Sequence, residues 1–288
     1  MAVAFLGPRG TFSEEAALQY GGPDAELVAF SSIPALTSAV ETGLADVAVL
    51  PIENSIEGSV STTLDLLIYE TGLKIIGEAI VPVRHVLVTP VGAKLSDIET
   101  IYSHPQALGQ TRRFQERFLP KATQVAWLST AGAIEEVVKL NDPTKAAIGP
   151  ERAHVLYGGQ ILARDIQDVR SNLTRFIVLA DREMPPSGDD KTLLGLTVKG
   201  NVPGILAKVI APFAREGLQL TKLESRPMKG HLWEYVFLID FEGHQQDERF
   251  QRVLQDLAEP VATLKVFGSF PRFPLESLSE FVTSPALL

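Results

Sequence analysis

Apolar and polar positions change rhythm along the chain. Through about residue 183, short apolar runs alternate with stretches whose apolar residues recur at helical spacing. Residues 3–6 predict a strand. Thr11-Phe12-Ser13-Glu14 predicts a capping box that opens a helix through Ala16, Ala17 and Leu18. A helix around 33–42 leads into a strand at 46–50. Residues 58–69 predict a helix with Val60, Leu64, Leu67 and Ile68 on one face. Extended segments fill 74–91, interrupted by Pro82. A strand follows at 98–103, and Pro105 suits the first turn of the next helix. Ser129 or Thr130 caps a helix over 133–140. The short strand Ala146-Ala147-Ile148 precedes a helix over 151–157. This βα order predicts a largely parallel sheet with helices on both faces.

The rhythm breaks at 184–190, a linker by composition, Met184-Pro185-Pro186-Ser187-Gly188-Asp189-Asp190. Beyond it a strand at 192–199 meets the turn Asn201-Val202-Pro203-Gly204. A helix over 205–216 stops at Gly217. Strands at 218–225 and 233–241, a helix over 248–258 and a strand at 262–270 complete a βαββαβ order. That order is the ferredoxin-like arrangement of small ligand-sensing domains. The tail from 273 to 288 has little pattern.

A chain of 288 residues predicts about two domains at ~150 residues each. Its hydrophobic content of 45% and charged content of 21% are those of a soluble globular protein. The net charge of −9 argues against nucleic acid, whose phosphates need a basic face. There is no cysteine, which removes disulfides and thiolate chemistry. His85, His104, His154, His231 and His244 show no i, i+4 pair for a helical metal site. The first apolar run is five residues long and ends at Gly7-Pro8, unlike a signal peptide. No apolar run approaches the ~18 residues that span a bilayer. A cytoplasmic protein is expected.

Candidate chemistry gathers at Asn172-Leu173-Thr174-Arg175-Phe176, just before the apolar run Ile177-Val178-Leu179-Ala180. A hydroxyl and a guanidinium thus stand at the mouth of a buried strand, where α/β proteins place their sites. Arg175 could grip a carboxylate with both arms of its fork. In an extended chain, however, 172, 174 and 176 share one face and Arg175 takes the other. Hydroxyl residues also recur at strand-to-helix junctions: Gly10-Thr11, Asn54-Ser55, Ser103-His104 and Ser129-Thr130. Capping is their ordinary reading. Several helix N-termini facing one cleft would suit an anionic ligand without fixed positive charge.

Read together, Gly7-Pro8-Arg9-Gly10-Thr11-Phe12-Ser13, Pro51-Ile52-Glu53-Asn54-Ser55 with Gly58 and Val60, and Ser103-His104-Pro105-Gln106-Ala107-Leu108 form an ordered set. Asn172-Leu173-Thr174-Arg175-Phe176, Glu224-Ser225-Arg226-Pro227 and Trp233-Glu234-Tyr235 extend it. From residue 3 to 272 the chain resembles the prephenate dehydratases that carry a C-terminal ACT regulatory domain. Thr111 stands where that family often has cysteine, and Ile205 where its regulatory loop usually has alanine. No helical chorismate mutase segment precedes the first strand, so the single-activity form is expected.

The resemblance implies a two-lobed α/β catalytic region over 1–183, similar to type II periplasmic binding proteins. Lobe one would take about 1–80 plus 170–183, and lobe two about 81–169. The ferredoxin-like ACT domain would take 191–272. It implies conversion of prephenate to phenylpyruvate, carbon dioxide and water, with no metal or organic cofactor. Thr174 would be the acid for the departing hydroxyl. Arg175, Asn172, Asn54, Ser55, Thr11, Ser103 and His104 would bind substrate, with Glu53 orienting neighbours. L-Phenylalanine would regulate through Asn201, Val202, Pro203, Gly204, Ile205 and Leu206, with Glu224, Ser225, Arg226 and Pro227 shaping the adjoining loop. A site shared between two such domains requires at least a dimer, and the family commonly forms tetramers. Three alternatives stay open: a preference for arogenate, a cytoplasmic small-molecule binding protein, and a regulatory protein that has lost catalysis.

Overall fold

A computed structural model describes residues 1–200, 202–231, 233–274 and 278. Of the tail expected over 273–288, only Phe273, Pro274 and Leu278 fall among them. The chain divides into two compact units. One contains Met1–Ser61 and Ala79–Phe176, and the other Thr62–Glu78 and Ile177–Phe273.

The N-terminal strands are β1 (Ala2–Leu6), β2 (Glu26–Phe30) and β3 (Val47–Asn54), joined through helices α1 (Phe12–Gly21) and α2 (Ile33–Glu41). β1 pairs parallel with both β2 and β3. The βαβ crossovers leave no other direction for strands joined by a helix. Asn54 then turns the chain sharply. Its Oδ1 accepts the N–H groups of Ile56 and Glu57, Gly58 takes a φ of 82°, and a short β4 (Gly58–Ser59) pairs back on β3. The helix expected over 58–69 therefore starts late. It is α3 (Ser61–Asp65), followed by one wider π turn, Leu66–Glu70. Val60 instead bonds Ile52 O through its N–H at 2.8 Å. With β5 (Lys74–Pro82) and β11 (Leu173–Ala180) the sheet order is β2-β1-β3-β11-β5, with β4 on β3.

A second sheet, within the first unit, has the order β10-β6-β9-β7-β8. Its strands are β6 (Val86–Thr89), β7 (Thr100–Ser103), β8 (Thr123–Ala126), β9 (Lys145–Gly149) and β10 (Gln160–Ala163). Helices α4 (Pro105–Gln110), α5 (Arg112–Phe118), α6 (Thr130–Leu140) and α7 (Glu151–Tyr157) connect them. Alternation along the strands feeds two cores. Leu87, Ile101 and Ile148 join Leu108 and Leu119 on one face. Val86, Val88 and Ala147 join Ile134 and Val137 on the other. β7 is parallel to β8 and β9, but β6 is antiparallel to β9 and β10. The expected largely parallel sheet is thus mixed. Apolar alternation sets which face a side chain takes, and says nothing of strand direction.

After the linker, β12 (Asp190–Val198), α8 (Ile205–Arg215), β13 (Leu220–Pro227), β14 (Tyr235–Glu242), α9 (Glu248–Leu257) and β15 (Val261–Pro271) form the βαββαβ module. Its antiparallel sheet runs β13-β14-β12-β15. Phe213 of α8 and Phe250 of α9 close the core over Phe241, at ring distances of 5.4 Å and 4.7 Å from it. Gly268 of β15 has a specific reason: a Cβ there would collide with the backbone of Ile75.

Candidate active site

A cavity of about 390 Å³ lies in the first unit. Its wall collects the ends of elements. Leu6 ends β1 and Gly7 follows it, Pro51 and Asn54 lie in the last half of β3, and Thr174 and Phe176 open β11. Thr11, Phe12 and Ser13 begin α1, His104, Gln106 and Ala107 begin α4, and Ser129 and Thr130 begin α6.

The junction residues cap their helices and line the cavity at once. Thr11 Oγ1 accepts from the Glu14 N–H, His104 Nδ1 from Gln106, and Ser129 Oγ from Gly132, at 3.4, 3.3 and 3.0 Å. The remaining first-turn N–H groups have no partner inside their helices. No lysine or arginine is among the described lining residues. The favourable potential for an anion therefore comes from helix ends.

Glu14 secures the start of α1. Its carboxylate takes the Gly10 N–H at 2.5 Å, Arg152 at 2.9 Å and Arg9 at 3.3 Å. Burial opposes its charge, but these contacts outweigh burial and hold its pKa below the ordinary value. Neighbouring Glu15 goes the other way. Burial raises it to about 7, with Arg152 opposing and Glu14 and Glu151 adding.

Thr174 and Phe176 face the cavity, while Arg175 is half-buried and absent from its wall. Strand alternation separates the two, so the site does not combine hydroxyl and guanidinium. Ser103 is fully buried and donates to Ile148 O at 2.6 Å, tying β7 to β9. Ser55 accepts the Leu173 N–H at 3.0 Å and clips the end of β3 to β11. Neither serine lines the cavity. Asn172, 1% exposed, sits behind it.

A directed hydrogen-bond chain runs through these residues. Asn54 Oδ1 is committed to two backbone donors, so its Nδ2 must donate. It does so to Thr174 Oγ1 at 2.9 Å and to Asn172 Oδ1 at 2.8 Å. Asn172 Nδ2 donates to Gln110 Oε1 at 3.2 Å, and Gln110 Nε2 donates to Glu57 at 3.3 Å. His85 Nε2 lies 3.3 Å from the same Gln110 Oε1. Thr174 thus accepts a bond through its oxygen and keeps its proton for whatever fills the cavity. Sequence reasoning missed Gln110 and His85, both of which line the wall. Gln110 had a signal, one helical turn beyond Gln106. His85, a lone histidine after a strand, had none.

The second set of expected residues lies in the other unit. Asn201 is outside the described residues. Val202 is 55% exposed, and Gly204 caps α8 at a φ of 81°, ahead of Ile205 and Leu206 in its first turn. The motif Glu224-Ser225-Arg226-Pro227 ends β13. Glu224 lies 3.2 Å from Lys222, and Pro227 pairs with Tyr235. Arg226 donates to Asp65 at 2.7 Å, and Lys229 Nζ stands 3.2 Å from the same carboxylate. Lys229 also lies over the Tyr69 ring at 4.9 Å. Arg226 of the motif thus meets the end of α3, and Lys229 beyond it reaches both α3 and the π turn.

Residues 3–184 match the model of the prephenate dehydratase family, and residues 192–259 that of the ACT domain. The chain belongs to the prephenate dehydratase family. A bifunctional chorismate mutase/prephenate dehydratase of Aquifex aeolicus is 42% identical over 274 residues, which are 95% of this chain and 74% of that protein. The prephenate dehydratase of Arthrobacter aurescens, solved in complex with L-Phe, is 36% identical with a TM-score of 0.86. The match covers 94% of this chain and 90% of that one. GqqA, described as a novel type of quorum quenching acylase, is 32% identical with the same TM-score, covering 96% and 100%. In family terms the cavity with Thr174 falls inside the dehydratase match, and Gly204 and Arg226 inside the ACT match. No helix of the described residues is long and apolar enough to cross a membrane.

Proposed function

We propose that this chain turns prephenate into phenylpyruvate in the cavity at Thr174. The observation that carries the reading is the Thr174 hydroxyl, whose oxygen accepts from Asn54 while its proton points to no other described partner. The electron pair of the ring C–carboxylate bond moves into the ring, carbon dioxide leaves, and the ring hydroxyl departs with one proton as water. Thr174 supplies the hydrogen bond that makes hydroxide a better leaving group, and solvent restores its proton. The two substrate carboxylates are held by helix starts at Thr11–Ser13, His104–Gln106 and Ser129–Thr130, with Asn54 fixing Thr174. Among the described lining residues no carboxylate is present to pair with an amino group, which supports prephenate over arogenate.

An acyl-transfer reading, prompted by the acylase neighbour, needs a base that takes the nucleophile's proton. Asn54 instead donates to Thr174, which argues against it. Purified protein incubated with prephenate should generate phenylpyruvate absorbance, and arogenate should be turned over at least ~10-fold less efficiently. No absorbance from prephenate overturns the reading.

The ACT module supports inhibition by L-phenylalanine. Its amino acid would be clasped by backbone groups at Val202–Leu206, with Glu224–Pro227 beside it. This loop is open in a single chain, so a second copy would complete the site. Calorimetry with L-phenylalanine, and sedimentation with and without it, test both parts.

A further inference from the structure

We propose that His85 is a positioning residue for Thr174, acting as a neutral Nε2–H imidazole at the far end of the hydrogen-bond chain. This rests on the dehydratase reading of Thr174.

The argument is one of direction. At one end, two backbone N–H groups fix Asn54 Oδ1 as acceptor, and backbone donors allow no flip. Asn54 Nδ2 then donates, Asn172 Oδ1 accepts, and Asn172 Nδ2 donates onward to Gln110 Oε1. At the other end, the Glu57 carboxylate only accepts, which independently turns Gln110 Nε2 toward it. Both ends leave Gln110 Oε1 as the atom facing His85, so Nε2 must carry the proton. His85 is 2% exposed, and its Nδ1 has no hydrogen-bond partner among the described residues. The Phe12 ring lies 5.6 Å away, edge to face. A second proton on Nδ1 would be buried without an acceptor, and burial holds the pKa down at about 4. The backbone of His85 is also pinned, since its N–H donates to Gln167 Oε1 at 3.0 Å.

Gln110 Oε1 therefore receives two donors, and its amide cannot rotate without losing both. Removing the His85 donor leaves Gln110 Oε1 with Asn172 alone, and so loosens Asn172, one of the acceptors of the Asn54 amide that also donates to Thr174.

The test compares His85→Leu, which deletes the donor, with His85→Gln, which returns an N–H near the Nε2 position. His85→Leu should lose about 10–100-fold in kcat with KM within ~3-fold, since small misplacement of a reacting group carries costs of that size. His85→Gln should recover most of it. Nitrogen-15 chemical shifts of the wild-type imidazole should show the neutral Nε2–H tautomer at pH 7. A wild-type kcat in folded His85→Leu overturns the proposal, as does equal loss in both variants or an Nδ1–H tautomer. The tautomer measurement stands even if His85→Leu does not fold. If Thr174→Ala kept normal turnover, the dehydratase reading of Thr174 would fall, while the tautomer and the Leu-against-Gln difference would still judge His85.

Discussion

Around Thr174 the polar side chains bond one another before anything is bound. Asn54, Asn172 and Gln110 hand hydrogen bonds from the neighbouring ends of β3 and β11 to the last residue of α4. The loop at Gly204 is open instead. Val202 is 55% exposed, and a Cβ on Gly204 would meet no atom within 4 Å. One region has its geometry set within a single chain, so its residues should fail through misorientation. The other is left open, so its residues should fail through lost binding.

That contrast can be broken. The largest effect is expected from Thr174→Ala: kcat should fall by about 10²–10⁴-fold with little change in thermal midpoint. Normal turnover in the folded variant would remove the hydroxyl from the chemistry.

Next comes pH. The folded His85 imidazole binds its proton near pH 4, against 6.5 when unfolded. Its contribution is full above pH 6.5 and is lost by about 3 kcal/mol as pH falls toward 4. Glu15 has the opposite sign. Its folded pKa of about 7, against 4.5 unfolded, removes a similar ~3 kcal/mol as pH rises from 4.5 to 7. The two slopes oppose each other in the native chain. Glu15→Gln should therefore be more sensitive to acid than wild type between pH 6.5 and 4.5, in denaturant midpoints measured side by side.

A smaller effect is expected at the open loop. Gly204→Val forces a branched residue to a φ of 81°, which costs about 1–2 kcal/mol. The backbone must shift, and L-phenylalanine should inhibit at least ~10-fold more weakly relative to the variant's own uninhibited rate. Unchanged inhibition would place the effector elsewhere. The smallest change in stability, under about 1 kcal/mol, is expected for Asp65→Asn, because its pair with Arg226 is partly exposed. A change above 2 kcal/mol in a urea titration would show that the pair anchors α3 more firmly than its exposure implies.

Much of this architecture was legible in the sequence. Capping signals at Thr11 and Ser129 gave helix starts, and the βαββαβ order of the second module was readable from apolar rhythm alone. The short strands β2, β8 and β10 and the helix α5 were not, because their residues are largely half-exposed or exposed and carry little alternation. Local pattern reached Thr174 and Asn54. It did not reach Gln110 or His85, whose roles depend on bonds across 25 to 62 positions of chain. At Gly204 the chain itself leaves open space for a Cβ, and the positive φ of 81° is the constraint.

A cavity whose positive potential comes from helix ends also behaves unusually toward distant ions. Helix-end fields fade within about a turn, whereas the chain's net charge of −9 is felt out to the Debye length, about 10 Å at 0.1 M salt. A dianion is thus repelled on approach and welcomed only on arrival. Added salt should screen the repulsion more than the attraction. At low ionic strength kcat/KM should therefore stay level or rise with added salt, the opposite of a site that draws its ligand in with exposed arginines.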